Sequence, residues 1–421
     1  MTDVVVPSAD ARSEDQGGDR TGRGERLWLV LAGCATGYLP FTLLGYGTDI
    51  DVPNVLRAGR NWIDDGVYEL SRKPGAVVHE VATAGLDRLG GSVLVNLASV
   101  AFAILAIWSV YRLVRADGSA WPGWASLAMA ANPWFWLAAT SLGDFMWALG
   151  LGLGGAFAAS RDRRVLAGVL FGLAIGCRMS TALMVGAWLV AERTGSPAQR
   201  TPWAATLRTA GVAAAVGVAS FVPPWLQNGG SFEFLDTGLE FGGWGLSAGR
   251  WAVKNAAVIG IPAGIVMLVG VPRVLGALAR WRVSTVVRFA VLTTVLSEAL
   301  FFRLPLKPVH LLPVVAAVAL LAGASPRVSR TLLISLVTAQ LVGGLVGTTI
   351  GAPDVAHNAT TGRLEVRLTE GPLLNMVQCR LDDRDLGPWP DPTAGPADAQ
   401  LAFDRATRNF DCQSETWRAS P

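Results

Sequence analysis

The sequence predicts an all-α polytopic membrane protein, and two observations carry this prediction: the composition and the recurrence of long apolar segments. Of the 421 residues, 51% are hydrophobic and 16% are charged, and the mean hydropathy is +0.40. A soluble domain carries about 25% charged residues, so this composition is typical of a chain that lies mostly in lipid. The formal net charge of +3 is small and indicates no particular partner.

Apolar segments fill residues 27–351 and predict about eleven transmembrane helices by hydropathy. Residues 1–26 are polar and predict a disordered cytoplasmic tail before the first segment, Leu27–Tyr46. The later segments are Ser92–Val114, Pro122–Ala139, Asp144–Ala159, Val165–Gly176, Thr181–Ala191, Thr209–Leu226, Ala256–Val271, Thr285–Phe302, His310–Ala324 and Thr331–Gly351.

Clusters of arginine alternate along these segments and set the predicted orientation. The clusters are Arg112 with Arg115, Arg161 to Arg164, Arg193 with Arg200, Arg273 to Arg282, and Arg327 with Arg330. Positive charge marks cytoplasmic loops, so the N-terminus is expected in the cytoplasm and residues 352–421 outside the cell.

Two predicted hairpins have helices too short for ordinary spans of about 20 residues. One long helix over residues 165–191 is the alternative to the first hairpin, but it would place the arginine cluster at 193–200 on the wrong side. We therefore favour two short helices with a tip at Arg178-Met-Ser180, and a second hairpin with its tip at Ser141–Asp144. Such short hairpins suit the wall of a cavity rather than a lipid-exposed bundle.

The predicted outer regions are a long first loop, a second loop and a C-terminal segment. Apolar spacing in the first loop, residues 47–91, predicts two amphipathic helices in the membrane interface, joined by residues 66–75. The second loop is Gln227–Asn255. Residues 362–368 alternate in character and predict a strand. Because the C-terminal segment is expected on the oxidising side, Cys379 and Cys412 are a candidate disulfide.

Ionisable residues collect on the predicted outer face, where charge near lipid is costly and therefore a functional signal. Carboxylates can take a proton from a hydroxyl or bind a divalent cation, and basic side chains can bind a phosphate. The acidic candidates are Asp49, Asp51 and Asp144, and the basic candidates are Arg72, Lys73, His79, Arg178, Arg303, Lys307 and His310.

Plainer structural roles stay open for all of these residues. Asp51 and Asp144 each precede a predicted helix start and could cap it. Arg178 could extend towards the interface or pair with Asp144. The remaining basic residues could lie in the membrane interface or bind anionic lipid headgroups.

Four stretches carry a resemblance to the GT-C superfamily of polyprenyl-phosphate-sugar-dependent, mannosyltransferase-like enzymes. They are Asp49-Ile-Asp51, Gly66 to Gly75, Gly172 to Ser180, and Lys307 to Pro313. The order of a first span, acidic residues, a long loop and many further spans adds to this resemblance, which covers roughly residues 27–350. It implies a plasma-membrane enzyme that moves a sugar from a lipid-linked donor to a hydroxyl group at the outer face, with inversion. The acceptor would be a cell-envelope glycan, lipid or protein; membrane lipids are further expected partners, and nucleic acid is not.

The resemblance also implies roles for individual residues. Asp49 or Asp51 would be the catalytic base, and Asp49 is favoured because it lies nearer the membrane. Arg178, Lys307 or His310 would stabilise the leaving phosphate. A divalent cation, Mg²⁺ or Mn²⁺, bridging Asp51 to the phosphate is a further option.

Two functions of other classes stay open at this point. A transporter or flippase of a lipid-linked or anionic substrate would also hold buried charges, although such proteins commonly contain duplicated halves and the sequence shows no internal repeat. A non-catalytic assembly factor would use the C-terminal segment as a binding module.

Overall fold

The computed structural model describes residues 27–197, 200–236, 243–351, 365–384 and 386–415, so the predicted N-terminal tail lies outside the described residues. The first half of the chain forms α1 (Leu27–Tyr38), α2 (Val52–Asp65), α3 (Val77–Ala116), α4 (Pro122–Ala130), α5 (Pro133–Ala139), α6 (Asp144–Ser160), α7 (Arg164–Cys177) and α8 (Thr181–Arg193). The second half forms α9 (Trp203–Ser220), α10 (Val222–Gln227), α11 (Trp244–Ile259), α12 (Ile261–Val274), α13 (Thr285–Arg303), α14 (Leu312–Ala324), α15 (Arg330–Leu345), β1 (Val346–Gly351), β2 (Glu365–Glu370), α16 (Pro372–Arg384) and α17 (Pro396–Glu415).

Several helices are long and apolar enough for an integral membrane protein. Within the described residues these are Val77–Ala116, Ile261–Arg280 and Thr285–Arg303, and a fourth span arises if α5 and α6 count as one, bent by 101°. Other apolar helices have 10–17 residues. The number of about eleven spans and the orientation of the termini stay predictions.

The first loop is correctly predicted to contain two helices, and a break in the helix falls where the loop was predicted to end. α2 ends at Gly66, which adopts a left-handed conformation (φ +69°) and stops the helix. The second helix forms the first part of α3 and ends at Gly90 and Gly91, where the backbone is non-helical. The membrane segment forms the part of α3 after this kink, so the loop helix leads into the core with no linker between them.

The predicted hairpin after residue 165 is present as two short helices, α7 and α8, separated by Arg178-Met-Ser180. Three glycines spaced four residues apart, Gly168, Gly172 and Gly176, let α7 pack closely on α9. A methyl group at these positions would lie 2.5–2.6 Å from Val212, Val216 and Ser220. Small residues at this spacing are the usual means of close helix contact in membranes. This packing fixes the end of α7, where Arg178 lies.

Other predicted boundaries are wrong, and each has a local cause. The predicted segment 256–271 is broken at Gly260 (φ +72°), which ends α11 and precedes α12. α11 begins at Trp244, within the predicted second loop. The last segment does not stay helical to Gly351: α15 ends at Leu345, and β1 pairs antiparallel with β2, Val346 opposite Glu370. The predicted strand at 362–368 is shifted to Glu365–Glu370, and residues 361–364 lie outside the described residues. A single two-stranded hairpin therefore accompanies the helices in the described part of the chain.

The C-terminal segment is also helical, which the sequence analysis missed. Cys379 on α16 and Cys412 on α17 are joined by a disulfide, with Cα atoms 5.8 Å apart. The segment packs on the first loop, where Arg60 of α2 donates a hydrogen bond to Asp391 at 2.7 Å.

We expect Cys412→Ser to lower the free energy of unfolding by about 2–4 kcal/mol, because a closed loop of 33 residues restricts the unfolded chain. Thermal melting of the purified protein measures the effect. The matched control is Cys34→Ser, since Cys34 is a free thiol. A wild-type protein whose mobility on a denaturing gel is the same with and without reductant would contradict the disulfide.

Candidate active site

Asp49 and Asp51 lie in the loop between the first helix and α2. Gly45 and Gly47 adopt left-handed conformations here (φ +74° and +110°), which few other residues tolerate. The Asp49 carboxylate accepts a hydrogen bond from the Asp51 backbone N–H at 2.9 Å. Asp51 occupies the N-cap position of α2, but its side chain makes no capping hydrogen bond. The structure therefore does not support the capping role considered for Asp51.

Lys307, from the loop between α13 and α14, contacts both aspartates. Its Nζ lies 2.6 Å from Asp49 Oδ1 and 3.3 Å from Asp51 Oδ2. These residues are more than 250 positions apart in the chain. The loop that carries Lys307 is held by Lys254 of α11, which donates hydrogen bonds to the carbonyls of Pro305 (2.6 Å) and Leu306.

Arg72 connects this pair to the third carboxylate. Its guanidinium lies 3.0 Å from Asp51 Oδ2 and 2.5 Å from Asp144 Oδ2. The loop that carries Arg72 wraps around the buried Glu80 carboxylate of α3, which accepts hydrogen bonds from the hydroxyls of Tyr68 (2.6 Å) and Ser71 and from the Ala76 backbone N–H (3.2 Å).

Asp144 is the first residue of α6 and is 2% exposed. Besides Arg72, its carboxylate accepts two hydrogen bonds from Arg178 at 2.9 and 3.0 Å, which rules out capping as its main role. Arg178 also donates to the His310 ring, 3.0 Å from Nδ1, and lies over the Phe145 ring at 3.9 Å. Arg178 thus has three neighbours that hold its guanidinium in one orientation.

The resulting acid–base cluster consists of three carboxylates, three cations and one imidazole: Asp49, Asp51, Asp144, Lys307, Arg72, Arg178 and His310. Five separate stretches of the chain supply these residues. Within it, burial disfavours the charged form of Asp49, but Lys307, the Asp51 N–H and Arg72 together lower the pKa of Asp49 below its ordinary value. Burial likewise opposes the charge of Lys307, while Asp49 and Asp51 outweigh it and raise the pKa of Lys307. Both groups are therefore ionised at neutral pH.

The remaining candidates make no hydrogen bond to the acid–base cluster, although His79 lies within electrostatic range of Asp144, Arg72 and Arg178. Lys73 and Arg303 are exposed. His79 is fully buried beside Trp147, with ring centroids 5.2 Å apart, and its Nε2 lies 3.3 Å from Thr83 Oγ1. The contacts described for these three residues give them no part in the ion pairs of the cluster.

Sequence reasoning missed the residues that hold the loops of the cluster, Glu80 and Lys254. A signal was present for Glu80, because an acidic residue followed the predicted start of an apolar helix. No feature of the sequence distinguished Lys254 from the other lysines in the predicted outer regions, Lys73 and Lys307.

The residues around Asp51 do not fit the divalent cation considered for this position. Asp51 Oδ2 already has Arg72 and Lys307 within 3.3 Å, so a metal ion there would face two positive charges. Within the described ranges, no three His, Cys, Asp or Glu side chains are arranged so that they could hold one metal ion. A requirement for Mg²⁺ or Mn²⁺ stays untested, and the mechanism below uses no metal.

Comparison with solved structures shows that the chain shares its overall fold with known structures at low sequence identity. Two similar structures are of ArnT from Cupriavidus metallidurans. The apo structure is 18% identical, with a TM-score of 0.54, and the alignment covers 93% of this chain and 77% of that chain. The structure bound to undecaprenyl phosphate is 16% identical, with a TM-score of 0.57, and the alignment covers 93% of this chain and 76% of that chain. No family model matches the chain, and no curated protein matches its sequence.

Proposed function

We propose that the protein is a membrane glycosyltransferase that moves a sugar from a polyprenyl-phosphate donor to an acceptor hydroxyl at the outer face of the membrane. The observation that carries the proposal is the acid–base cluster, in which carboxylates and cations from distant segments alternate within hydrogen-bonding distance. A fold shared with ArnT, which has been solved with undecaprenyl phosphate, supports a lipid phosphate as the leaving group.

The proposed reaction is a single displacement. The acceptor oxygen attacks the anomeric carbon, the bond from that carbon to the phosphate oxygen breaks, and the polyprenyl phosphate leaves with the electron pair. Asp49 takes the proton of the acceptor hydroxyl, and the configuration at the anomeric carbon inverts. Asp51 is the alternative base, since both carboxylates contact Lys307.

Lys307 and Arg178 would bind the donor phosphate, with His310 beside them. A phosphate near Lys307 competes with Asp49 for the ammonium group. Because that ion pair lowers the pKa of Asp49, its loss would raise the proton affinity of the carboxylate. Donor binding would thus convert a weakly basic carboxylate into a better base at the moment when a base is needed.

The proposal is tested with purified protein and undecaprenyl phosphate. We expect this lipid to raise the melting temperature of the wild type and to bind Arg178→Gln at least tenfold more weakly, because a charged donor to the phosphate is lost. The matched control is Arg88→Gln, an arginine about 41% exposed and paired with Asp64, which should bind as the wild type does.

A transfer assay with undecaprenyl-phosphate-linked sugars and membrane extract as acceptor completes the test. Release of undecaprenyl phosphate together with a new glycoside is the expected result. Movement of the intact donor across a vesicle membrane, with no glycoside formed, would instead establish a flippase and contradict the proposal.

A further inference from the structure

Arg380 of α16 is a buried residue that connects the C-terminal segment to the acid–base cluster. It is 1% exposed. Its Nε donates to the carbonyl of Leu44 at 2.9 Å, and one terminal nitrogen donates to the carbonyls of Gly45 at 2.9 Å and Thr140 at 2.7 Å. One side chain therefore contacts two separate loops.

The two loops are those that deliver the carboxylates. Gly45 lies four residues before Asp49, and Thr140 lies four residues before Asp144. The loops also contact each other directly, since the Leu142 backbone N–H donates to the Tyr46 carbonyl at 2.7 Å. Arg380 adds a second connection between them, made from outside both loops.

The chemistry of Arg380 favours a role in geometry over a role in packing. Its described hydrogen bonds to these loops go to carbonyl oxygens, with Thr140 Oγ1 at 3.5 Å, and not to a carboxylate. Burial removes solvation from the Arg380 cation, and the Asp383 carboxylate offsets this loss only in part. An apolar side chain of similar volume often stabilises a fold as well or better. Burial lowers the pKa of Arg380 to about 10, so the guanidinium is still charged at neutral pH. What an apolar residue could not supply is a set of three donors in a fixed plane.

The C-terminal segment is built so that Arg380 is held in place. The neighbouring Cys379 is joined to Cys412 of α17. Arg405 of α17 pairs with Asp383 of α16 at 2.7 Å, one turn beyond Arg380. The two helices thus form a fixed support for the guanidinium.

We propose that Arg380 is a positioning residue that sets the distance between the Asp49 loop and the Asp144 loop, which makes the C-terminal segment part of the active site. Its effect on turnover rests on the proposed function, whereas its effect on the loops does not. A displacement of about 1 Å in a reacting group can cost about a hundredfold in rate, so loosened loops should slow turnover more than they weaken binding.

The test uses the full-length protein and the variants Arg380→Met, Arg380→Lys and Arg384→Met. Arg384 is exposed one turn further along α16, so its replacement controls for loss of charge on that helix. In hydrogen–deuterium exchange we expect Arg380→Met to speed exchange in residues 44–49 and at the Leu142 amide at least tenfold, with Arg384→Met unchanged. In the transfer assay, kcat of Arg380→Met should fall at least tenfold while KM for the donor stays within threefold. The exchange rates and kcat of Arg380→Lys should lie between those of the wild type and those of Arg380→Met, because an ammonium group can reach fewer carbonyls.

The outcomes separate this inference from the proposed function. Wild-type exchange rates in folded Arg380→Met would overturn the inference, as would an equal loss of kcat in Arg384→Met. If Arg380→Met does not fold, Arg380→Lys becomes the test variant. Wild-type exchange rates and a wild-type kcat in Arg380→Lys would then overturn the inference. A wild type that transfers no sugar contradicts the proposed function alone, and the exchange data still decide the role of Arg380.

Discussion

Asp49→Asn is expected to lower the rate of sugar transfer by about 10²–10⁴-fold, the range that a positioned general base contributes. Asparagine keeps the shape of the side chain but cannot accept a proton from the acceptor hydroxyl. Binding of the donor should change little, because Lys307 and Arg178 are retained and Lys307 loses a competing partner. Initial rates and KM for an undecaprenyl-phosphate-linked sugar measure both effects.

Asp51→Asn decides between the two aspartates. If Asp49 is the base, Asp51→Asn should keep most of the activity and mainly weaken the contact with Arg72, which lies 3.0 Å away. Asp65→Asn is the matched control, because Asp65 is exposed at the end of α2. A folded Asp49→Asn, Asp51→Asn double variant that still transfers sugar at more than about a tenth of the wild-type rate would exclude both as the base.

Asp144→Ala is expected to cost about 3–5 kcal/mol of folding free energy and to abolish activity. The carboxylate is 2% exposed and lies between two guanidinium groups, so its removal leaves Arg72 and Arg178 near each other without their shared partner. Breaking a buried ion pair from one side is costly because an uncompensated charge remains. Thermal or denaturant unfolding of the purified protein measures the loss.

An exposed ion pair provides the control for Asp144. Glu69 lies 3.7 Å from Arg57 with both side chains more than 40% exposed, so Glu69→Ala should cost about 0–1 kcal/mol. Because Arg178 has already lost its carboxylate partner when Asp144 is absent, adding Arg178→Ala should cost less in the Asp144→Ala background than in the wild type. Equal costs in both backgrounds would show that the two residues are not coupled.

Helix content was largely predictable because hydrophobic periodicity acts locally. The short helices on either side of Arg178 and the helix after Asp51 follow from apolar spacing and from the residues that interrupt it. The boundaries at Gly260 and Leu345 were not predictable in this way. At Gly260 an apolar run hides a backbone break, and at Leu345 the chain becomes a strand because β2 lies beside it.

The candidate site was predictable in its residue types and not in its pairings. Asp49, Asp51, Asp144, Arg178 and Lys307 stood out because charge next to apolar segments is rare and costly. Capping and interfacial anchoring explained the same residues equally well from sequence. Only distances could separate these explanations, and they show ion pairs instead of caps.

Composition and apolar periodicity were enough to identify a membrane protein with many apolar helices and with ionisable residues at the ends of those helices, because both are properties of neighbouring residues. Which of these residues contact each other depends on the folded chain. The tertiary structure joined Lys307 to Asp49 across more than 250 positions, left Lys73 and Arg303 outside, and brought Arg380 from the C-terminal segment onto both acidic loops. Such contacts depend on how helices pack, and a buried charge finds its partner only in the folded chain.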